Sequence, residues 1–179
     1  HPEYLPVDER HPKAPTSPYG VGKLTGDQYV RLYSDLYDLD AVALRFFNVY
    51  GPRQTGGDYA GVITVFLEQA MSGEALTIHG DGEQTRDFVH VSDVVQALAM
   101  AVAEGQSGEA YNIGTGEAVS INDLAGIIQE EAEEDVEPVH TDPRQGDIEQ
   151  SRADISKARE ELGFEPRVDI REGLRGLLE

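Results

Sequence analysis

The chain has 179 residues, 34 acidic against 14 basic, for a formal net charge of −20, and it contains no cysteine. That length allows one domain with a real core, and the lack of cysteine excludes disulfides, a thiolate nucleophile and any Cys-based metal site within these residues. So acidic a chain offers no basic patch to nucleic acid. No run approaches a membrane span; no secretory signal pattern is present either, which proves little because the sequence reads as part of a longer chain, and a cytoplasmic setting is the expectation.

Of the 14 cations only Lys13, Lys23 and Lys157 are lysines, and 11 are arginines. Self-repulsion at this charge strains a compact state at low ionic strength, and salt screens it. The composition fits the salt-loaded cytoplasm of a halophile; a merely acidic mesophilic protein is the other reading.

Residues 1 to 17 carry Pro2, Pro6, Pro12 and Pro15 and read as an extended loop. A helix is expected from Tyr19 to Leu39. Ser17 is a good N-cap and Pro18 suits the first helical position, while Tyr29, Tyr33 and Leu36 share one face. Tyr19 and Lys23 stand one turn apart, so phenol and ammonium point into one site. A nearby ammonium favours the phenolate form of a tyrosine, and so does a helix N-terminus. Such a tyrosine is suited to take a proton from an alcohol while hydride leaves the same carbon. By itself the spacing is weak, because a solvated helix face produces it too.

Ala41 to Phe47 is a near-continuous apolar run, as in a buried parallel strand. Asn48 to Ala60 reads as a Gly-rich loop at that strand's carboxyl end, where open α/β sheets bind ligands. Val62, Ile63, Phe66, Leu67 and Ala70 follow helical spacing as far as Gly73. Leu76-Thr77-Ile78-His79 is a short strand, Arg86 to Val91 another, and Asp93 to Ala103 a helix. Ala110 to Ile113 is a strand, and Ser120-Ile121-Asn122-Asp123 is a capping box opening a helix through Glu131. A strand over Val136–His140 and helices over Asp154–Leu162 and Asp169–Leu178 complete the chain. The acidic cluster Glu130–Glu134 reads as a solvated helix end. His90, inside Phe88-Val89-His90-Val91, reads as structural, and no His/Asp/Glu set has metal-binding spacing. The alternation of strands and helices gives an α/β class.

Five motifs stand out along this pattern: Pro18-Tyr19-Gly20-Val21-Gly22-Lys23, Leu44-Arg45-Phe46-Phe47-Asn48-Val49-Tyr50-Gly51-Pro52-Arg53-Gln54, the run from Gly80-Asp81-Gly82-Glu83-Gln84-Thr85-Arg86-Asp87 to Val94, Tyr111-Asn112-Ile113-Gly114-Thr115-Gly116, and Pro143-Arg144-Gln145-Gly146-Asp147. In kind and order they resemble the extended short-chain dehydrogenase/reductase family, and within it the NAD-dependent nucleotide-sugar epimerases and dehydratases. The resemblance runs from about Leu5 to the last residue. It implies the C-terminal part of a Rossmann-type doubly wound sheet, with Tyr19–Tyr50 and Arg86–Ala103 at its far edge, plus a small α+β substrate-binding lobe from residues 61–82 and 118–179. The family's Gly-rich dinucleotide-binding turn and the Ser or Thr that partners its tyrosine have no counterpart here. Residues 1–179 therefore read as the C-terminal portion of a longer enzyme, expected to be inactive alone.

The same resemblance implies site roles. Tyr19 becomes the general base and acid, Lys23 the residue that bonds the nicotinamide ribose of NAD, and Phe46 a neighbour of that cofactor. Asn48, Arg53, Arg86 and Arg144 fall to the substrate diphosphate, for which a guanidinium fork is well suited. Ile78, through its backbone, and the His79 ring fall to the nucleotide base. Read without the family, Asn48 caps a turn, Arg86 pairs with Asp87 or another local carboxylate, and Leu76–His79 is a plain edge strand. The implied reaction is C4 epimerisation of a UDP-hexose through a transient 4-keto sugar, as in the UDP-glucose 4-epimerases. A 4,6-dehydratase shares the oxidation and then eliminates water, and a non-catalytic nucleotide-sugar binding module is the reading from another class. The implied partners are a UDP-sugar and a second copy of the chain, paired through the helix that begins at Tyr19.

Overall fold

The computed structural model describes residues 2–54, 61–133, 136–144 and 146–178. In chain order the elements are α1 (Pro18–Tyr37), β1 (Ala43–Phe46), β2 (Asn48–Tyr50), α2 (Val62–Met71), β3 (Thr77–His79), β4 (Thr85–Arg86), β5 (Phe88–His90), α3 (Val91–Glu104), β6 (Ala110–Ile113), β7 (Val119–Ser120), α4 (Ile121–Ala132), β8 (Val139–Thr141), α5 (Ser156–Leu162) and α6 (Ile170–Leu178). Helix α1 starts as its first residues dictate: Ser17 is extended, its hydroxyl accepts from the Gly20 amide at 3.1 Å, and Pro18 opens the first turn. It stops at Asp38, in the left-handed region, two residues short of the expected end. Ser34 is its one buried residue, while Tyr29, Tyr33, Leu36 and Tyr37 stay exposed. Arg45 on β1 anchors it through a bidentate pair with Asp27, at 2.8 and 2.9 Å, and a bond to the Glu9 carbonyl at 2.9 Å.

The expected strand over Ala41–Phe47 is present as β1, parallel to β6 with Ala43 opposite Ala110. Two expectations are corrected nearby. Asn48–Tyr50 is not loop but β2, parallel to β5; that pairing is long-range, and the local Gly-rich composition hides it. The single strand expected over Arg86–Val91 is two, because β4 pairs antiparallel with β7 while β5 joins β2, and Asp87 between them turns inward. Strand β3 pairs in parallel with β8.

Two cores result. One gathers Ile63, Phe66 and Ala70 of α2, Ile78, Leu124 and Ile128 of α4, and Leu174 of α6 around Tyr50 and Phe88. The other packs Val94, Ala97 and Ala101 of α3 and Ala158 and Leu162 of α5 on Val89, Tyr111 and Ile113. Helix α5 was expected in the smaller lobe; its apolar face instead lies on β6 and α3, beside the parallel pair. Helices α4 and α6 are joined by Arg171–Glu130 at 2.6 Å and Arg175–Glu131 at 2.8 Å. The first two members of the acidic cluster are thus ion-paired, not merely solvated, and Glu134 lies outside the described residues.

The Ser120 cap holds: its hydroxyl accepts from the Asp123 amide at 3.0 Å and donates to the Asp123 carboxylate at 2.6 Å. His90 is structural, as expected: it caps α3 and its Nδ1 meets the Ser92 hydroxyl at 2.7 Å. Among the described residues no helix is long and apolar enough to cross a membrane, and no cluster of three His, Cys, Asp or Glu is placed to hold a metal.

Candidate active site

A cleft of about 1070 Å³ opens at the carboxyl ends of β1 and β2, bounded by the first turn of α1, by α2, by β3 and by residues 144 and 147. At one end stand Tyr19 and Lys23, with Phe46 from the last position of β1. The Lys23 Nζ lies 5.4 Å from the centroid of the Tyr19 ring, within cation–π reach. Both side chains face the same opening, as the one-turn spacing requires.

At the other end are Arg86, Arg144 and Asp147. Arg86 is held firmly. Its Nη1 donates to the carbonyls of Thr85, at 2.7 Å, and Ile148, and its Nη2 meets the Asp147 carboxylate. The carboxylate partner foreseen for Arg86 therefore exists, but it is Asp147, 61 residues on, and not Asp87. This does not exhaust the group. A guanidinium has five N–H donors; three are engaged among the described residues, which leaves the Nε–H and one Nη2–H on an oriented fork. Between the two ends lies Asn48, fixed by the ladder: its amide donates to the Asp87 carbonyl at 2.9 Å, so it is a strand residue and not a turn cap.

His79 stands at the boundary with a second cleft, also about 1070 Å³, which shares Gln84, Arg144 and Asp147 and is lined further by His140, Asp81 and Glu83. Its Nδ1 is paired with the Thr141 hydroxyl at 2.9 Å. Two expected residues do not line the cleft with their side chains. The Ile78 side chain is 1% exposed and belongs to the core, because alternate residues of a strand face opposite sides; the Thr141 hydroxyl bonds its carbonyl at 3.3 Å. Arg53 sits in the turn after Gly51, with φ of 70°, and is not on the wall of the cleft.

Three residues that sequence reasoning missed complete the wall: Gln69, Thr77 and Gln84. The Gln69 amide brackets Thr77, donating to its hydroxyl and accepting from its N–H, both at 3.0 Å. The Gln84 amide donates to the His79 carbonyl at 2.8 Å. A usable signal existed for Gln69, a polar residue inside the apolar stripe of α2. Three cations, Lys23, Arg86 and Arg144, thus converge on one cleft of a chain with net charge −20. Walls of this kind concentrate an anionic ligand.

The family model for GDP-mannose 4,6 dehydratase matches residues 1–177. The chain belongs to the nucleotide-sugar epimerase/dehydratase family. It is 40% identical to a UDP-glucose 4-epimerase of Mycolicibacterium smegmatis over 99% of this chain and 57% of that protein. It resembles the Thermotoga maritima UDP-glucose 4-epimerase solved with UDP-glucose, with a TM-score of 0.93, 41% identity, and coverage of 97% of this chain and 56% of that one. A Bacillus cereus UDP-glucuronic acid 4-epimerase, solved with UDP-glucuronic acid and NAD, is 34% identical with a TM-score of 0.86 over 94% of this chain and 53% of that one. The chain thus spans a little over half the length of these relatives. The Rossmann-type α/β class is that of the family, and its cofactor is NAD.

The residues present fit one end of that cofactor. Tyr19 and Lys23 offer hydrogen-bonding groups at the cleft mouth, and Phe46, 45% exposed, offers an apolar face beside them. No G-x-G-x-x-G turn for the pyrophosphate occurs in the sequence.

Proposed function

We propose that the protein carrying this chain is an NAD-dependent nucleotide-sugar 4-epimerase acting on a UDP-hexose. The observation that carries this reading is a single cleft with a Tyr–Lys pair at one end and two arginines at the other. Such a site suits a ligand that is anionic at one end and a polyol at the other. Arg86 and Arg144 grip the diphosphate, Asn48 adds a neutral contact between them and Tyr19, and His79 lies beside the base. Residues 61–82, with Ile121, Arg144 and Asp147 from 118–179, supply the wall that holds the nucleotide.

With the nucleotide held, the sugar C4 comes to Tyr19. The Tyr19 oxygen takes the C4 hydroxyl proton as the C4–H bond breaks, leaving a 4-keto sugar. The Lys23 ammonium compensates the charge at the tyrosine and bonds the cofactor's ribose, while Phe46 borders the nicotinamide. NAD, when bound, supplies the hydride acceptor and then the hydride donor. The sugar turns over on its fixed diphosphate, Tyr19 returns the proton, and the C4 configuration is inverted with no net redox change. A loose hold on the hexose and a firm hold on the diphosphate are what this cycle needs.

The relatives' greater length supports a dinucleotide-binding half ahead of Tyr19, and residues 1–179 alone are expected to bind no NAD and turn over nothing. The exposed tyrosines of α1 are suited to pairing with a second copy. The test incubates the full-length protein with UDP-glucose deuterated at C4. Formation of UDP-galactose with the label retained supports the reading. A 4-keto-6-deoxy product would make the enzyme a 4,6-dehydratase, and binding without turnover would make it a nucleotide-sugar binding module. Calorimetric titration of residues 1–179 with NAD should give no heat, and stoichiometric micromolar binding would overturn the division of labour.

A further inference from the structure

Asp87 is fully buried and faces away from the cleft, between β4 and β5. Its Oδ1 accepts from the Thr115 amide at 2.7 Å and the Thr115 hydroxyl at 2.8 Å. Its Oδ2 accepts from the Gly116 and Ala153 amides, each at 3.0 Å. No ion pair to it occurs among the described residues, so neutral dipoles satisfy it. A buried carboxylate is costly to desolvate, and a plain core position is filled more cheaply by an apolar side chain. What four acceptor contacts add is geometry: two other backbone segments, at residues 115–116 and at 153, are tied to the strand segment that carries Asp87. Gly114 belongs to the same fit, since a Cβ there would stand 2.8 Å from Oδ2.

Those segments carry the anion grip. Arg86 is the adjacent residue. Asn48 hangs on the Asp87 carbonyl at 2.9 Å. Ala153 ends the stretch that bears Arg144 and Asp147, and the Thr85 amide fastens that stretch to β4 through the Glu149 carbonyl at 2.8 Å. We propose that Asp87 is the positioning residue of the diphosphate site, fixing β4 relative to the stretch 144–153 so that Arg86 and Arg144 meet one ligand. The proposal rests on the diphosphate placement given above.

The test uses the full-length protein, with UDP as a competitive ligand and a UDP-sugar as substrate. Asp87→Asn sets an amide NH₂ against an N–H donor, and Thr115→Val removes only the hydroxyl contact. Loss of a hydrogen bond to a charged group corresponds to about tenfold in affinity. The KM for UDP-sugar and the inhibition constant for UDP should rise about tenfold in Asp87→Asn and about threefold in Thr115→Val. The kcat should stay within about twofold and NAD content should not change. In an Arg86→Ala background both substitutions should weaken UDP by less than they do in the parent, only through the placement of Arg144, because residues acting through one another are not additive. If the melting temperature falls with KM unmoved, or if the effects multiply with that of Arg86→Ala, Asp87 only holds the fold and the proposal is overturned. If Arg86→Ala itself leaves UDP affinity intact, the diphosphate placement fails and this proposal with it. Should Asp87→Asn not fold, Thr115→Val decides by the same criteria.

Discussion

Among the described residues the Tyr19 hydroxyl makes no hydrogen bond: the residue is 70% exposed, and the helix start rests on Ser17 and Pro18. Tyr19→Phe should therefore leave fold and UDP binding intact while kcat drops by about 10²–10⁴-fold. Turnover within a factor of two of the parent would remove Tyr19 from the chemistry. Arg86→Ala and Arg144→Ala should each raise the KM for UDP-sugar by about 10–100-fold, with NAD retained; steady-state kinetics on both variants check this. Of the cleft lining, Tyr19 and Lys23 were legible from their one-turn spacing, and Arg86 and Arg144 from motifs that resemble the family's. The Asp147 partner of Arg86 was not, since no local rule links residues 61 apart. Period-two alternation turns only the side chains of Thr77 and His79 on β3 toward the cleft, which leaves Ile78 its backbone alone for contact.

Helix α6 crosses β2 at Gly173, where a Cβ would overlap the Tyr50 hydroxyl. That hydroxyl is buried with no hydrogen-bond partner among the described residues, and burial pushes its ionisation well above the ordinary phenol range. Gly173→Ala should cost about 1–3 kcal/mol of stability through overpacking. Tyr50→Phe removes the closest overlap and an unsatisfied group but leaves the ring carbons Cε2 and Cζ 2.9 Å from the new Cβ, so it should be near neutral alone and should restore part of the loss in the double variant. Thermal unfolding of the four proteins tests this; an uncompensated double variant would refute the contact.

A second element-level prediction concerns Lys157, which bonds Glu109 at 2.6 Å and holds its carboxyl below the ordinary glutamate range. A carboxyl depressed in the folded state contributes stability above its unfolded pKa, and that contribution is lost as pH falls through the folded value. Glu109→Gln should thus lower the melting temperature slightly at neutral pH, since exposed pairs contribute little, and the difference should vanish in acid. The helices were legible at this scale because their apolar stripes repeat within a few residues. Of the strands of two or three residues, β3, β5 and β8 fall within expected strands, while β2 and β4 were not legible as separate strands, because they exist only through partners far along the chain.

At the scale of the whole molecule, 34 acidic residues against 14 basic ones set the dominant long-range term. Salt weakens the surface pairs between α4 and α6, but each is small, whereas the general repulsion is relieved throughout. The melting temperature should rise steeply from dilute to molar KCl, and a flat or falling curve would dispose of the halophile reading. The overall class was legible from the strand–helix alternation; the assignment of α5 to the parallel pair was not, because amphipathic spacing says which face is apolar but not what it packs on.

Helix α1 also gives the chain an optical handle. Residues 1–179 hold no tryptophan and eight tyrosines, four of which, Tyr19, Tyr29, Tyr33 and Tyr37, ride on this one helix. Tyr29, Tyr33 and Tyr37 form a ladder with ring centroids 6.1 and 4.9 Å apart, open to solvent. Ultraviolet emission is therefore weighted toward a single surface, without a label. Any body that settles on α1 would cover several of these exposed phenols at once, so the emission of residues 1–179 would report contact at that face.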